Sequence, residues 1–153
     1  MAQESAAETW VATKEPGKAP VSAVTAMIHV ADIERSAAFY RLLGFEIGNY
    51  VPRECPPMYW AWLYQPNAPD WKTGANLMLV RRGTAPARLD PEAPHVLFYL
   101  YAQDLKGLRA KLAEKGLAPG DISYPEYLPR GEFRLYDPDG YMLMIAQSYE
   151  DSP

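Results

Sequence analysis

The sequence predicts an α+β fold in which two βαβββ modules form a curved, half-barrel mixed sheet around a concave cavity, with the helices outside. Three observations carry that expectation. The chain repeats itself once, each copy holds a helix-period run set between an aspartate and a glycine, and the other apolar segments alternate with period two. The repeat comes first because it constrains the rest. Placing Asp32 over Asp104 lays "AMIHVADIERSAAFYRLLGF" on "FYLYAQDLKGLRAKLAEKGL", with Gly44-Phe45 falling on Gly116-Leu117.

Each copy opens with a strand, residues 24–30 and 96–102, rich in β-branched or aromatic side chains. Parity turns Val24, Ala26, Ile28 and Val30 towards the helices, with Val96, Phe98, Leu100 and Ala102 as counterparts. Thr25, Met27 and His29 then look the other way, as do Leu97, Tyr99 and Tyr101. Helices follow at 33–43 and 105–115. Asp32 and Asp104 suit the N-cap, where a carboxylate accepts a free first-turn N–H, and Gly44 and Gly116 suit the left-handed position past the last turn. Ile33, Ser36, Ala37, Tyr40 and Leu43 make one mostly apolar face, and Leu105, Leu108 and Leu112 make the other.

Three short strands are expected after each helix: 45–50, 58–64 and 76–81 in the first copy, and 121–124, 132–136 and 141–147 in the second. "DPDG" supplies the last turn, with Pro138 presetting φ and Gly140 accepting a positive value. The carboxylates of Asp137 and Asp139 are read as serving that hairpin rather than catalysis. The final strand carries Met142, Met144 and Ala146 on one face and Tyr141, Leu143 and Ile145 on the other. Neither face is charged, so both must be covered. Helices cover one; Met27, Met78, Leu97, Tyr99, Tyr101, Met142 and Met144 line the other, joined on parity by Trp60, Trp62 and Tyr64. Such an apolar, aromatic hollow with a few polar groups is how small-molecule sites are built. Thr25, His29, Asn76, Glu132 and Arg134 are the polar candidates.

Composition narrows the function classes. The chain has 153 residues, 48% of them hydrophobic, enough for one domain with a real core. A net charge of -4 argues against nucleic acid or an anionic membrane as partner. One cysteine, Cys55, excludes an internal disulfide framework, and with no base beside it a catalytic role is not expected. Residues 1–21 read as a flexible leader without a secretory signal, in which Trp10 and Val11 are apolar side chains that could dock on the domain. Residues 22–149 form the domain: a first module at about 22–82, a proline-rich linker at 83–94 and a second module at about 95–149. Arg81-Arg82 caps a strand end. No stretch approaches a membrane span, and a cytoplasmic protein is expected.

The duplicated unit, together with "HVADIERSAAFYRLLGF" and "GEFRLYDPDGYMLMIAQ", resembles the glyoxalase/bleomycin resistance/dioxygenase family, the vicinal oxygen chelate proteins. The likeness covers about residues 22–149. Its metal-using members hold a divalent cation with His and Glu from the first and fourth strands of each module. Carried onto this chain, those positions are Thr25 and Leu97, each seven residues before the capping aspartate, and Met78 and Met144. This set offers no carboxylate, imidazole or thiolate for a hard or borderline cation. A shifted site using His29 or His95 finds no carboxylate on the fourth strands; Glu132 is the nearest. The resemblance also implies that "YPEYLPRGEF", 124–133, overhangs the cavity as a lid.

Three functions follow. The favoured one is metal-free, cofactor-free binding of a small aromatic or cationic compound, in the manner of bleomycin-resistance proteins, which the resemblance implies work as homodimers. The ligand site would comprise Thr25, Met27, His29, Trp60, Trp62, Met78, Leu97, Tyr99, Tyr101, Arg134 and Met144. The second is a metal-dependent lyase, isomerase or dioxygenase with a non-standard ligand set including His29. The third is a metal-free enzyme pairing His29 with Glu132 or a tyrosine as acid and base.

Overall fold

The computed structural model describes residues 21, 23–54, 57–70, 73–81, 90, 92, 94 and 96–149. Trp10, Val11, Cys55, Arg82, His95 and most of the linker lie outside the described residues. The elements run β1 (Met27–His29), α1 (Ile33–Arg41), β2 (Glu46–Val51), β3 (Trp60–Tyr64), β4 (Asn76–Val80), β5 (Leu97–Ala102), α2 (Leu105–Glu114), β6 (Glu132–Tyr136) and β7 (Met142–Gln147). The α+β class and the modular order are those expected from the sequence. Each module supplies its own open sheet, β1-β4-β3-β2 in the first and β5-β7-β6 in the second. In both, the outer strand pairs in parallel with the last strand of its module, and the other pairings are antiparallel.

The helix brackets form as expected. Asp32 accepts the Arg35 N–H at 2.9 Å and Asp104 accepts the Gly107 N–H at 3.0 Å. Gly44 and Gly116 take φ of 91° and 85°, which L side chains rarely adopt. Helix α1 buries Ile33, Ser36, Ala37, Phe39 and Tyr40 against β2, β3 and β4, while α2 buries Leu105 and Leu112 and packs on β7. Phe39 is the face residue that the sequence reading passed over.

Two expectations are corrected. The strand at 121–124 is reduced to an isolated bridge between Ser123 and Glu132. Asp121 is exposed, and Gly120 already spends its N–H on the Arg134 carbonyl, so no ladder extends there. Val24 and Val96, assigned to the helix side, are 88% and 61% exposed. Strands β1 and β5 begin only at Met27 and Leu97, so alternation carries no facing information for the residues before them. The core is continuous across the modules: Ile28, Leu63, Leu77 and Leu79 share one buried cluster with Leu105, Phe133, Leu135, Leu143 and Ile145. These are the inner-parity residues, so the two sheets turn their inner faces towards the shared core and helices. The opposite faces look outward.

The "DPDG" turn locks this arrangement. The buried Tyr40 hydroxyl donates to Asp137 Oδ2 at 2.9 Å, and the N–H groups of Asp139 and Tyr141 donate to Asp137 Oδ1 at 2.9 Å each. Asp139 in turn accepts from the Ala31 N–H at 3.0 Å and the Ser36 hydroxyl at 3.3 Å, and pairs with Arg35 at 3.3 Å. Burial raises the Asp137 carboxyl above its ordinary value, with the Tyr141 and Tyr40 donors pulling the other way. The same burial, then the neighbouring Asp137 charge, raises the Tyr40 phenol well above its ordinary range. Thus a hairpin turn of module two is the anchor for the first helix of module one.

Candidate functional site: two aromatic faces

Register places the candidate residues in cross-strand rows. On the first sheet, Met27 lies beside Met78 and Met78 beside Trp62, and Asn76 sits opposite Tyr64. His29 lies beside Val80, and Val80 opposite Trp60. Thr25 joins at the strand entrance, its hydroxyl donating to Asn76 Oδ1 at 2.7 Å; the Trp62 indole N–H reaches the same oxygen at 3.3 Å. Trp62 and Tyr64 stack, with centroids 5.1 Å apart and planes 8° from parallel. The stack lies over Gly48, where an added Cβ would stand 2.6 Å from the indole ring. Glycine at that bulged position of β2 is therefore what lets the rings lie flat on the sheet.

The second face is made by Leu97 beside Met142, Tyr99 beside Met144 and Tyr101 beside Ala146 on β5 and β7. Strand β6 adds Tyr136, Arg134 and Glu132 opposite the same three β7 residues. Tyr99 and Tyr101 stack at 6.4 Å. The Tyr99 hydroxyl donates to Glu132 Oε2 at 3.1 Å and that of Tyr127, from the 124–131 loop, to Oε1 at 2.8 Å. Burial, then the bonds to Tyr127 and Glu132, push the Tyr99 phenol up to about 12. That loop is pinned by Leu128, which is buried, and by the left-handed Gly131.

The eleven candidate residues thus fall into two groups. Thr25, Met27, His29, Trp60, Trp62 and Met78 share the first face; Leu97, Tyr99, Tyr101, Arg134 and Met144 share the second. Both faces are open: Met27, Tyr99 and Tyr101 are 46%, 42% and 63% exposed. Between the modules run two adjacent cavities of about 270 and 520 Å³, which share Phe45, Ala75, Tyr99 and Leu100. Tyr101 lines the second of these and Asn76 the first.

The positions that hold a cation in metal-using proteins of this fold do not fit one here. Thr25 is committed to Asn76, Met78 and Met144 offer only thioethers, and Leu97 offers nothing. Among the described residues no group of three His, Cys, Asp or Glu side chains is placed to hold a metal ion. His29 and Glu132, paired in one sequence reading, stand on different sheets. What the His29 backbone does is structural: its carbonyl accepts the Tyr141 hydroxyl at 2.9 Å.

Comparison with known proteins agrees with this architecture. Residues 24–54 match the bleomycin resistance protein-like N-terminal family. A bleomycin-binding protein complexed with bleomycin superposes with a TM-score of 0.58 at 23% identity, covering 84% of this chain and all of that one. The chain carries the glyoxalase/bleomycin resistance protein/dioxygenase fold. The bleomycin resistance determinant of transposon Tn5 gives 0.60 at 21% identity over 85% of this chain and 100% of its own. An antibiotic-binding protein from a Streptomyces species gives 0.57 at 23% over 86% and 99%. No curated protein matches the sequence. The resemblance read from the two motifs is therefore borne out. No helix among the described residues is long and apolar enough to cross a membrane.

Proposed function

We propose that the protein binds and sequesters a small aromatic or cationic compound, without a metal ion, on the Met- and aromatic-lined faces described above. The observation that carries this reading is the chemistry of the four positions where metal-using members place ligands: Thr25 and Met78 on the first face, and Leu97 and Met144 on the second, offer a hydroxyl, two thioethers and a hydrocarbon, each pair sharing its face with an aromatic stack. A flat indole–phenol stack favours planar guests, and neighbouring thioethers adapt to irregular ones. Similar proteins of this fold bind bleomycin or another antibiotic, which supports the same class of ligand here. Exposed tyrosine, methionine and leucine on two open faces also support a homodimer in which each face gains a cover. Sedimentation should then give twice the chain mass.

The test uses acridine, a planar three-ring compound that is neutral at pH 7.5. Titrated into the protein, it should quench tryptophan fluorescence, and Trp62→Ala should weaken binding about tenfold or more. Saturable binding untouched by Trp62→Ala, or no binding, contradicts the reading.

A further inference from the structure

We propose that Glu132 is the anchor for the positive charge of an organic cation seated on the tyrosines of the second face, an inference that rests on the reading above and names one ligand class within it. Glu132 stands opposite Ala146, and Ala146 opposite Tyr101, so its side chain belongs to the outward face. It is nevertheless only 3% exposed. Both partners of its carboxylate are neutral phenols, Tyr99 at 3.1 Å and Tyr127 at 2.8 Å. The ion pairs among the described residues are Arg35–Asp139, Arg41–Glu46 and Arg109–Asp121, and Glu132 is in none of them. Of the two nearest arginines along the chain, Arg130 lies over the Tyr149 ring at 4.9 Å, and Arg134 is exposed. A carboxylate taken out of water normally has a counter-charge as well as hydrogen bonds. Here the hydrogen bonds are present and the counter-charge is not.

The surrounding groups suit a cation. Tyr99 and Tyr101 stack side by side, and Tyr127 is 67% exposed; the faces of such rings attract positive charge. Tyr99 lies in the row of Met144 and Arg134, so its hydroxyl reaches Glu132 only by leaning across β7 towards the next row. The residue of that row on β7 is Ala146, wholly buried and small enough to pass beneath the ring. Tyr127 sits on a loop and is the exchangeable cap: an incoming ammonium or aminium N–H takes its place on Oε1, and the freed phenol ring closes over the ligand. The anion is held ready by one fixed phenol and covered by one movable one.

Isothermal titration with 9-aminoacridine, a planar cation at pH 7.5, and with acridine, the same ring system uncharged, tests this. The wild-type protein should bind 9-aminoacridine about tenfold more tightly than acridine, or better. Glu132→Gln keeps the size and a carbonyl acceptor for Tyr99 and Tyr127 while removing the charge. It should erase that preference and leave acridine binding within about twofold. Equal affinity of the two compounds for the wild-type protein overturns the inference without needing the variant. So does an equal loss of both in Glu132→Gln. In either case, acridine binding that depends on Trp62 leaves the wider reading standing, whereas failure of the wild-type protein to bind either compound sinks both.

Discussion

In the first module the outward face is an aromatic platform, with the Trp62–Tyr64 stack laid on Gly48 and flanked by Met27 and Met78. In the second module the same face is a ring of tyrosines about a buried carboxylate, Glu132. Beneath these surfaces the modules agree closely. Each caps its helix with an aspartate, leaves it through a left-handed glycine, and pairs its outer strand in parallel with its last. The inner faces are held to one pattern because they must fill a shared core, where a change of even a methylene is felt. The outer faces carry no such constraint and have diverged in chemistry. One supplies flat contact area and the other supplies charge.

The largest effect is expected at the joint between the modules. Asp137→Ala leaves Tyr40 and two backbone N–H groups without their acceptor, and should lower unfolding free energy by about 3 kcal/mol in urea titration. A loss below about 1 kcal/mol would mean that the modules hold together without this turn. Next, Gly48→Ala drives a methyl group into the indole of Trp62. It should cost about 1–2 kcal/mol, shift tryptophan emission, and impair acridine binding while sparing the seat for 9-aminoacridine at Glu132. An unchanged emission spectrum would show that the stack does not rest on Gly48.

A smaller effect is expected at the helix caps. Asp104→Ala and Asp32→Ala should each cost about 1 kcal/mol, measured by the same denaturation. A cost at Asp32 several-fold larger would show that the first module depends more on its helix than the second does. The smallest signal is titrational. Tyr99 holds its proton more tightly folded than unfolded, because its raised value, about 12, lies above the ordinary 10.0. Its contribution to stability is therefore complete below pH 10 and lost as pH rises through about 12. In Glu132→Gln the Tyr99 Cζ resonance should titrate at lower pH than in the wild-type protein. An unshifted titration would mean that the Tyr99–Glu132 bond is not formed in solution.

What could be read from the chain was what is local. Asp32, Asp104, Gly44 and Gly116 bracket their helices because capping and left-handed turns are decided within four residues. Strict alternation put Met78 on the same face as Trp62, and Tyr99 on the same face as Met144, since period two leaves no freedom once a strand exists; the register that sets Met78 beside Trp62 is seen only in the structure. Alternation says nothing about where a strand begins, which is why Val24 and Val96 were misplaced and 121–124 became a single bridge. Long-range partners were hidden for a related reason. Asp137 and Asp139 look like turn residues from sequence, and only packing shows that they hold Tyr40, Ser36 and Arg35. Likewise Glu132 reads from sequence only as one polar group of the hollow, and packing alone shows the Tyr99 and Tyr127 hydroxyls on its oxygens. Gly48 carried a signal, a glycine within a strand pattern, that marks a close approach of another group.

The most direct measurement is the affinity of acridine for the protein before and after exhaustive dialysis against a strong chelator, with metal content determined in both samples. Binding on a stacking surface such as Trp62 with Tyr64 keeps the same dissociation constant, and neither sample holds zinc, iron, nickel or manganese near one ion per chain. A stoichiometric ion in the first sample, with binding lost when it is stripped and restored when it is returned, would contradict a metal-independent site.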